Sequence, residues 1–423
     1  MPSTTKSLLG RNPLFRNFLA ATTISLLGTN IFDIAIPLYV LDRTHSALAV
    51  SAVAFCLHLP YFLMAPLTGH LADNFNKKKV MLYTDIGQVL CLSFLLLYES
   101  TASHEMWPIL LAVFVAKSLM NLFETVTTFQ LIPEMVKPED LSAANSWFLS
   151  AHRLIQVLGP LAGGMILGLL GVKAAILINI VSFGATLFFT LRLKNMAEVK
   201  RLSWAEAISP TVIYANFQDS LKYVWGSSLF RPFIILMFCW NFSSLLPNSP
   251  TLLYYFTEIK KFTAWRYGLV ASFLGVLGIV GYLRAAQLFR RFDFYRTFVG
   301  SCLWQAIIAS AALLFMDFPI ALTVVFGLSR IGSSLVTMGT FLIRQTQIPS
   351  HRAGGVNACL RMFFMSAAPL SALMQAFLIH HYGVEASLIL GALFLWATAW
   401  FSKSVALATP SLQHVMKEEE KAA

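Results

Sequence analysis

Long apolar runs separated by short polar segments repeat along the whole chain, and their length indicates the fold class. Each run has about 20 residues or more, which is the length that an α-helix needs to cross a lipid bilayer. The pattern predicts an all-α membrane protein with twelve transmembrane helices, which we call spans one to twelve. Their predicted ranges are 18–41, 47–72, 79–98, 107–130, 147–170, 172–192, 231–257, 265–289, 295–316, 318–341, 354–379 and 384–408.

The longest polar interruption divides the spans six and six. We therefore expect two six-helix halves, and two such halves of similar hydropathy are typical of folds that enclose a central cavity and alternate access to it. In the interruption, Phe217, Leu221, Val224 and Trp225 recur at helical spacing, which predicts an amphipathic helix on the membrane surface. The predicted organisation is an N-terminal half (1–192), a cytoplasmic linker (193–230), a C-terminal half (231–408) and a cytoplasmic tail (409–423).

The composition excludes a soluble globular protein. Of the 423 residues, 57% are hydrophobic and only 12% are charged, whereas a soluble domain has about 45–50% and about 25%. The sequence has no Gly-x-Ser-x-Gly, no His-Glu-x-x-His and no phosphate-binding glycine loop. We therefore expect no enzyme activity, no metal and no cofactor, and a membrane enzyme or receptor is a disfavoured alternative.

The basic residues set the expected orientation, because cytoplasmic loops are enriched in Lys and Arg. An even number of spans places both termini on one face of the membrane, and the loops on that face contain most of the loop Lys and Arg. The loops on the opposite face have only Arg43, Lys173, Lys260, Lys261 and Arg266. We expect both termini to be cytoplasmic and the protein to be a multi-pass protein of the inner cell membrane. The net charge of +11 then reflects orientation, and we expect no nucleic-acid partner.

A small residue, an acid and a basic cluster follow the second apolar run, in the segment Gly69-His70-Leu71-Ala72-Asp73-Asn74-Phe75-Asn76-Lys77-Lys78-Lys79. The segment resembles the loop between spans two and three of the major facilitator superfamily, Gly-x-Leu-Ala-Asp-Arg-x-x-Arg-Lys. Asn74 stands where the family has an arginine, so a charge relay through that arginine is not expected. The resemblance implies a gating role for Gly69, Asp73, Lys77, Lys78 and Lys79.

Span five contains Gly159-Pro160-Leu161-Ala162-Gly163-Gly164. Pro160 removes a backbone hydrogen bond and bends the helix, and the glycines allow close packing. The segment is similar to the Gly-Pro-x-x-Gly-Gly signature of the antiporter branches of the superfamily, although a generic kinked helix would have the same features. Matching loops at 131–145 and 344–357 resemble the macrolide-efflux and siderophore-exporter group.

Charged and polar side chains inside the spans indicate where a cavity lies, because a charge at mid-membrane costs roughly 2.5–3.5 kcal/mol. In the resembled fold, spans one, four, seven and ten line the cavity. We predict that Asp33 and Glu124 carry protons, with a fixed ion pair to Lys117 or Arg330 as the alternative. Asp85 is expected to pair with the basic loop. The predicted substrate-binding residues are Asn30, Lys117, Asn121, Asn241, Arg330 and Ser334.

The expected function is a monomeric secondary transporter that exports a small amphipathic or anionic organic compound, such as a siderophore or a drug-like natural product. Its energy source would be the proton gradient, through proton-coupled alternating access. A general macrolide or multidrug pump is the first alternative, because Phe and Trp are abundant. An importer of the same fold is the second alternative.

Overall fold

The computed structural model describes residues 8–64, 76–100, 107–193, 210–243, 249–349 and 352–409, and every regular element in these ranges is a helix. Spans one to four are Pro13–Thr44, Ala47–Leu63, Lys77–Ser100 and Trp107–Met135. Spans eight to twelve are Ala264–Arg291, Phe294–Ala312, Pro319–Gln347, Ala353–Tyr382 and Val384–Leu407. Nine helices in the described part are long and apolar enough to cross a membrane, or ten when one bent pair is counted.

Spans five and six are two helices within Leu141–Arg192, and they follow one another across a kink at Gly171. Gly171 has φ 79° and ψ 175°, a backbone conformation that only glycine adopts readily. The kink lies between the predicted ranges 147–170 and 172–192, so the segment provides two spans. This division raises the nine long helices to ten. The shorter helix Ala47–Leu63 and span seven add one each, so the described helices fit the predicted twelve.

Span seven is not the continuous helix that the apolar run 231–257 predicts. Its first part is the helix Phe230–Phe242, and its second part is Pro250–Tyr254 followed by a π-helical turn, Tyr255–Ile259. Ser249 caps the second part, because its hydroxyl accepts a hydrogen bond from the Leu252 amide at 3.3 Å. The intervening residues 244–248 lie outside the described ranges.

The linker contains the helix Pro210–Gly226, whose Phe217–Gly226 part is bent by 100° from the start of span seven. Val224 and Ser220 are buried, whereas Asp219 and Lys222 are exposed. The helix packs against span eleven, and Arg352 at the start of that span lies 3.8 Å from Asp219. The helix is therefore amphipathic and lies across the bundle end instead of along it.

The two halves meet along two pairs of helices, spans two and eleven and spans five and eight. Glycines permit the second contact. A Cβ on Gly268 would lie 2.6 Å from the Pro160 carbonyl oxygen, and one on Gly164 would clash with the Ala264 carbonyl. On the other side of span five, a Cβ on Gly159 would lie 2.5 Å from Asn30 Cβ. The Gly-Pro-x-x-Gly-Gly segment is thus packed between spans one and eight.

The apolar core is shared by the halves at one end only. We call the end at which span one begins the terminal face, and the other end the distal face. At the distal face one buried cluster joins Phe32, Leu41, Leu253 and Phe256 across the halves. Toward the terminal face each half has its own cluster, around Phe18 and around Phe298. The halves are therefore closed together at the distal face and separated toward the terminal face.

Candidate functional site

Two neighbouring cavities lie at mid-bundle, and they share Asn30 and Asp33 of span one. Cavity A, about 300 Å³, lies within the N-terminal half and is lined by Asn121 and Glu124 of span four and by Tyr61. Cavity B, about 390 Å³, lies between the halves. Both volumes are in the range of small-molecule sites. Cavity B is lined, among others, by Arg153, Gln156, Trp240, Tyr282, Arg330 and Ser334.

Asp33 forms an ion pair with Lys117, with 3.8 Å between Oδ1 and Nζ. The Lys117 side chain is 2% exposed and its Nζ also lies 4.5 Å from the centroid of the Phe32 ring. Asp33, in contrast, is 42% exposed. Lys117 therefore lies behind Asp33 and lines neither cavity A nor cavity B. Its contact with the substrate stays a prediction.

Glu124 and Asn121 are both fixed by hydrogen bonds from or to neighbouring spans. Gln88 of span three donates its side-chain amide to Glu124 at 2.6 Å, and Asn121 donates to the Tyr61 hydroxyl at 3.0 Å. Glu124 is buried but lines cavity A. The two residues lie on the same face of span four, as their spacing predicts, and the carboxyl group is held in place without an ion pair among the described residues.

Arg330 brings a cation to cavity B without an acidic partner within ion-pair distance in the described ranges. Its Nε is buried and has no hydrogen-bond partner there. Arg153 lies over the Tyr282 ring at 4.1 Å and donates to Gln156 at 2.9 Å. Two guanidinium groups therefore line a cavity whose one acid, Asp33, already pairs with Lys117. Such an arrangement can bind a carboxylate or another planar anion.

The remaining predicted substrate residues differ in position. Asn30 lines both cavities and donates to the Leu26 carbonyl at 2.9 Å. Ser334 lines cavity B and donates to the Gly278 carbonyl of span eight at 2.7 Å. Asn241 donates to the carbonyl of Met237 in its own helix at 2.8 Å, and Trp240 lines cavity B in its place.

The lysines of the predicted gating loop tie span three to its neighbours at the terminal face. Lys77 forms an ion pair with Glu134 at the end of span four, and Lys78 donates to the carbonyl of Leu193 after span six. Lys79 is exposed. The other two residues of the predicted gating loop, Gly69 and Asp73, lie outside the described ranges.

Sequence reasoning missed Arg153, Tyr61, Trp240 and Tyr282, and it placed Asp85 wrongly. The signal for Arg153 was present, since an arginine in the middle of an apolar span should face a cavity or a partner. The expected pairing of Asp85 with the basic loop is wrong: Asp85 is fully buried, and neither carboxyl oxygen has a hydrogen-bond partner among the described residues.

The described residues contain no group of three or more His, Cys, Asp or Glu side chains that could hold a metal ion. The groups that converge instead are two carboxyls, a buried lysine and two arginines. Chemically, this set can bind and release protons at Asp33 and Glu124. It can also hold an anionic group at Arg153 and Arg330.

Three relatives with efflux functions in their names match the chain at low identity. The chain is 23% identical to the multidrug efflux pump Tap of Mycolicibacterium fortuitum over 391 residues, 90% of this chain and 92% of that one. It is 24% identical to macrolide efflux protein A of Streptococcus pyogenes over 39% of this chain and 41% of the relative. It is 29% identical to the enterobactin exporter EntS of Citrobacter koseri over 39% of this chain and 40% of the relative.

Solved structures match over most of the chain. The inward-facing crystal structure of a bacterial homologue of the iron transporter ferroportin has a TM-score of 0.70 at 19% identity, covering 94% of this chain and 100% of that one. A D-xylose-proton symporter has a TM-score of 0.68 at 13% identity, covering 93% and 96%. At these identities the structures support the fold alone.

A family model, described as Major Facilitator Superfamily, matches residues 18–372. The match covers most of the predicted spans, from span one into span eleven. The helix pairing, the twelve-span division and the solved structures agree with it. The chain therefore belongs to the major facilitator superfamily and is a multi-pass membrane transporter.

Proposed function

We propose that the protein exports a small amphipathic or anionic organic compound from the cytoplasm in exchange for protons. The observation that carries the proposal is the position of Asp33, which lines both cavities and pairs with Lys117 at 3.8 Å. A proton on Asp33 would break this ion pair at the boundary between the two cavities. Protonation and substrate binding therefore act on one residue.

The charge of cavity B supports an anionic group on the substrate. Arg330 lacks an acidic partner in the described ranges, and Arg153 is held by Tyr282 and Gln156 with its guanidinium in the same cavity. The membrane potential also favours export of an anion, because moving one negative charge outward gains about 2.3 kcal/mol per 100 mV when the inside is negative. A proton moving inward adds a similar amount.

Exchange requires that substrate and proton compete. We propose that the anionic group lies at Arg330 and Arg153 and that a hydrogen-bond donor of the same molecule meets ionised Asp33. A proton on Asp33 removes the negative charge that attracts this donor and breaks the ion pair with Lys117. Binding of the proton then releases the substrate, and the proton gradient supplies energy in addition to the membrane potential, with no cofactor.

The orientation is part of the proposal. The basic residues favour a cytoplasmic terminal face, with both termini inside and the protein in the cell membrane. The halves are separated toward this face, so the cavities would be loaded from the cytoplasm. A monomer as the working unit is also part of the proposal.

A general macrolide or multidrug pump is the second candidate. The aromatic side chains of Tyr61, Phe129 and Phe148 in cavity A favour it, because they offer an apolar surface to a neutral or cationic drug. The names of the Tap and macrolide relatives support the same candidate. An importer of the same fold would use the same groups, but it would move the substrate and the proton in the same direction.

The candidates differ in which compound moves protons. We would load inside-out membrane vesicles with acid and add enterobactin as the anionic probe or erythromycin as the macrolide probe. For the first candidate, enterobactin should release protons in wild type but not in Asp33→Asn, while erythromycin should not. Proton release by erythromycin alone would favour the multidrug pump, and co-uptake of protons would favour an importer.

The cargo itself can be found by deleting the gene and profiling the compounds that remain inside the cells. An anionic compound that accumulates in the deletion strain and is exported again on complementation supports the proposal. Absence of any accumulated compound together with no proton release for either probe would contradict it.

A further inference from the structure

A second buried carboxyl, that of Asp85, lies behind Glu124 and forms no ion pair with any residue that the structure describes. Asp85 of span three is 0% exposed, and both of its carboxyl oxygens lack a hydrogen bond among the described residues. The nearest donor is the Thr186 hydroxyl of span six, whose single hydrogen is shared with the Phe183 carbonyl at 3.0 Å. A carboxylate ion in such surroundings is strongly unfavourable, whereas a protonated carboxyl is not.

Gln88 connects this carboxyl to the wall of cavity A. Gln88 is also 0% exposed, and its amide nitrogen donates to Glu124 at 2.6 Å. Its amide oxygen has no donor among the described residues. Gln88 is three residues from Asp85, so both side chains lie on one face of span three. The unfilled acceptor on Gln88 and a hydroxyl on protonated Asp85 complement each other.

The balance of charge in this wall also requires protons. Lys117 interacts with two carboxyls, those of Asp33 and Glu124, and Asp85 is a third carboxyl that interacts with Glu124. Lys117 can neutralise one carboxylate, and it is nearest to Asp33. Asp85 and Glu124 are both buried, and neither forms an ion pair among the described residues. Two carboxyls in such a position cannot both be ionised.

We propose that Asp85 is a proton-binding residue of the transport cycle and that it shares protons with Glu124, with Gln88 orienting both groups. When Glu124 loses its proton to cavity A, the hydroxyl proton of Asp85 moves to the Glu124 carboxylate. Asp85 regains a proton by the reverse step, after Glu124 has been protonated again from cavity A. No other co-reactant is needed. The inference rests on the proposed proton coupling, and it adds a proton site outside the substrate cavities.

Asp85→Asn tests the site without adding a charge or changing the side-chain size. In vesicles, proton release on adding the transported probe should fall at least about tenfold, as expected when a carboxyl is lost from a proton relay. Exchange of labelled for unlabelled probe across the membrane, which needs no net proton movement, should stay near the wild-type rate. Thr84→Val is the matched control, because the Thr84 hydroxyl is buried beside Asp85 but donates within its own helix.

Infrared difference spectra give a readout that does not depend on transport. Purified wild type should show the C=O band of a protonated carboxyl that is missing in Asp85→Asn and present in Thr84→Val. The inference would be overturned if Asp85→Asn kept the band, or if Asp85→Asn released protons at the wild-type level. If wild type itself releases no protons but keeps the band, then proton coupling fails while Asp85 still binds a proton. The two proposals therefore fail separately.

Discussion

The Ser272 hydroxyl of span eight lies between two backbone groups of span five, the Leu161 amide and the Val157 carbonyl. Ser272 Oγ accepts from the Leu161 amide at 3.1 Å and donates to the Val157 carbonyl at 2.6 Å. In an uninterrupted helix these two backbone groups would bond to each other. Pro160 already removes one bond from this turn, and two further backbone groups of the turn bond to the other half of the protein.

Ser272→Ala should therefore loosen the closed distal face. The Leu161 amide and the Val157 carbonyl could then pair within span five, and the halves would lose a bond worth about 1 kcal/mol, or roughly a fivefold shift toward the open state. The measurement is the alkylation rate of a cysteine introduced at Leu253, which is buried where the halves join. Ser301→Ala, whose hydroxyl donates within its own helix, should leave the rate unchanged.

Gly164→Ala should block closure more severely, because its new methyl group would clash with the carbonyl oxygen of Ala264. Backbone cannot move aside as a flexible side chain can, so we expect transport to fall by at least about tenfold, a change of 1.4 kcal/mol or more. Gly168→Ala on the same helix is the control, since nothing lies within 4 Å of its added Cβ. Equal transport by the two variants would show that the close packing is not needed.

Arg330→Gln should weaken substrate binding without abolishing proton binding. A charge-assisted hydrogen bond contributes about 1.5–3 kcal/mol, so the apparent KM for an anionic probe should rise roughly 10- to 150-fold. Arg284→Gln is the matched control, because Arg284 is exposed on span eight and bonds to Gln287. A neutral probe should be affected equally little by both changes, and an unchanged KM for the anionic probe in Arg330→Gln would contradict anion binding there.

Asp33→Asn should abolish proton exchange and also lower stability, because it leaves the buried Lys117 ammonium without its carboxylate. As Asp33 is partly exposed, we expect a loss of only about 1–2 kcal/mol. Adding Lys117→Met should restore the melting temperature in detergent but not the proton exchange. Recovery of exchange in the double variant would mean that the carboxyl is a structural partner and carries no proton.

The helices could be predicted almost completely, whereas the site could be predicted only in part. Span lengths follow from apolar runs, so the division at Gly171 was visible in the sequence. The rotation of each helix depends on its neighbours, and no pattern within span four places Lys117 behind Asp33 or Glu124 beside Gln88. Asp85 shows the same limit: its distance from the lysines along the chain was known, but not that its face turns toward span four.

The one-sided apolar cluster at the distal face, around Phe32, Leu41, Leu253 and Phe256, has a thermal consequence. Opening that face brings apolar surface into contact with water, and such surface is held together less strongly as the temperature falls. Cooling should therefore increase the population that is open at the distal face more than a linear van't Hoff dependence gives, and the conformational equilibrium should have a measurable heat-capacity difference.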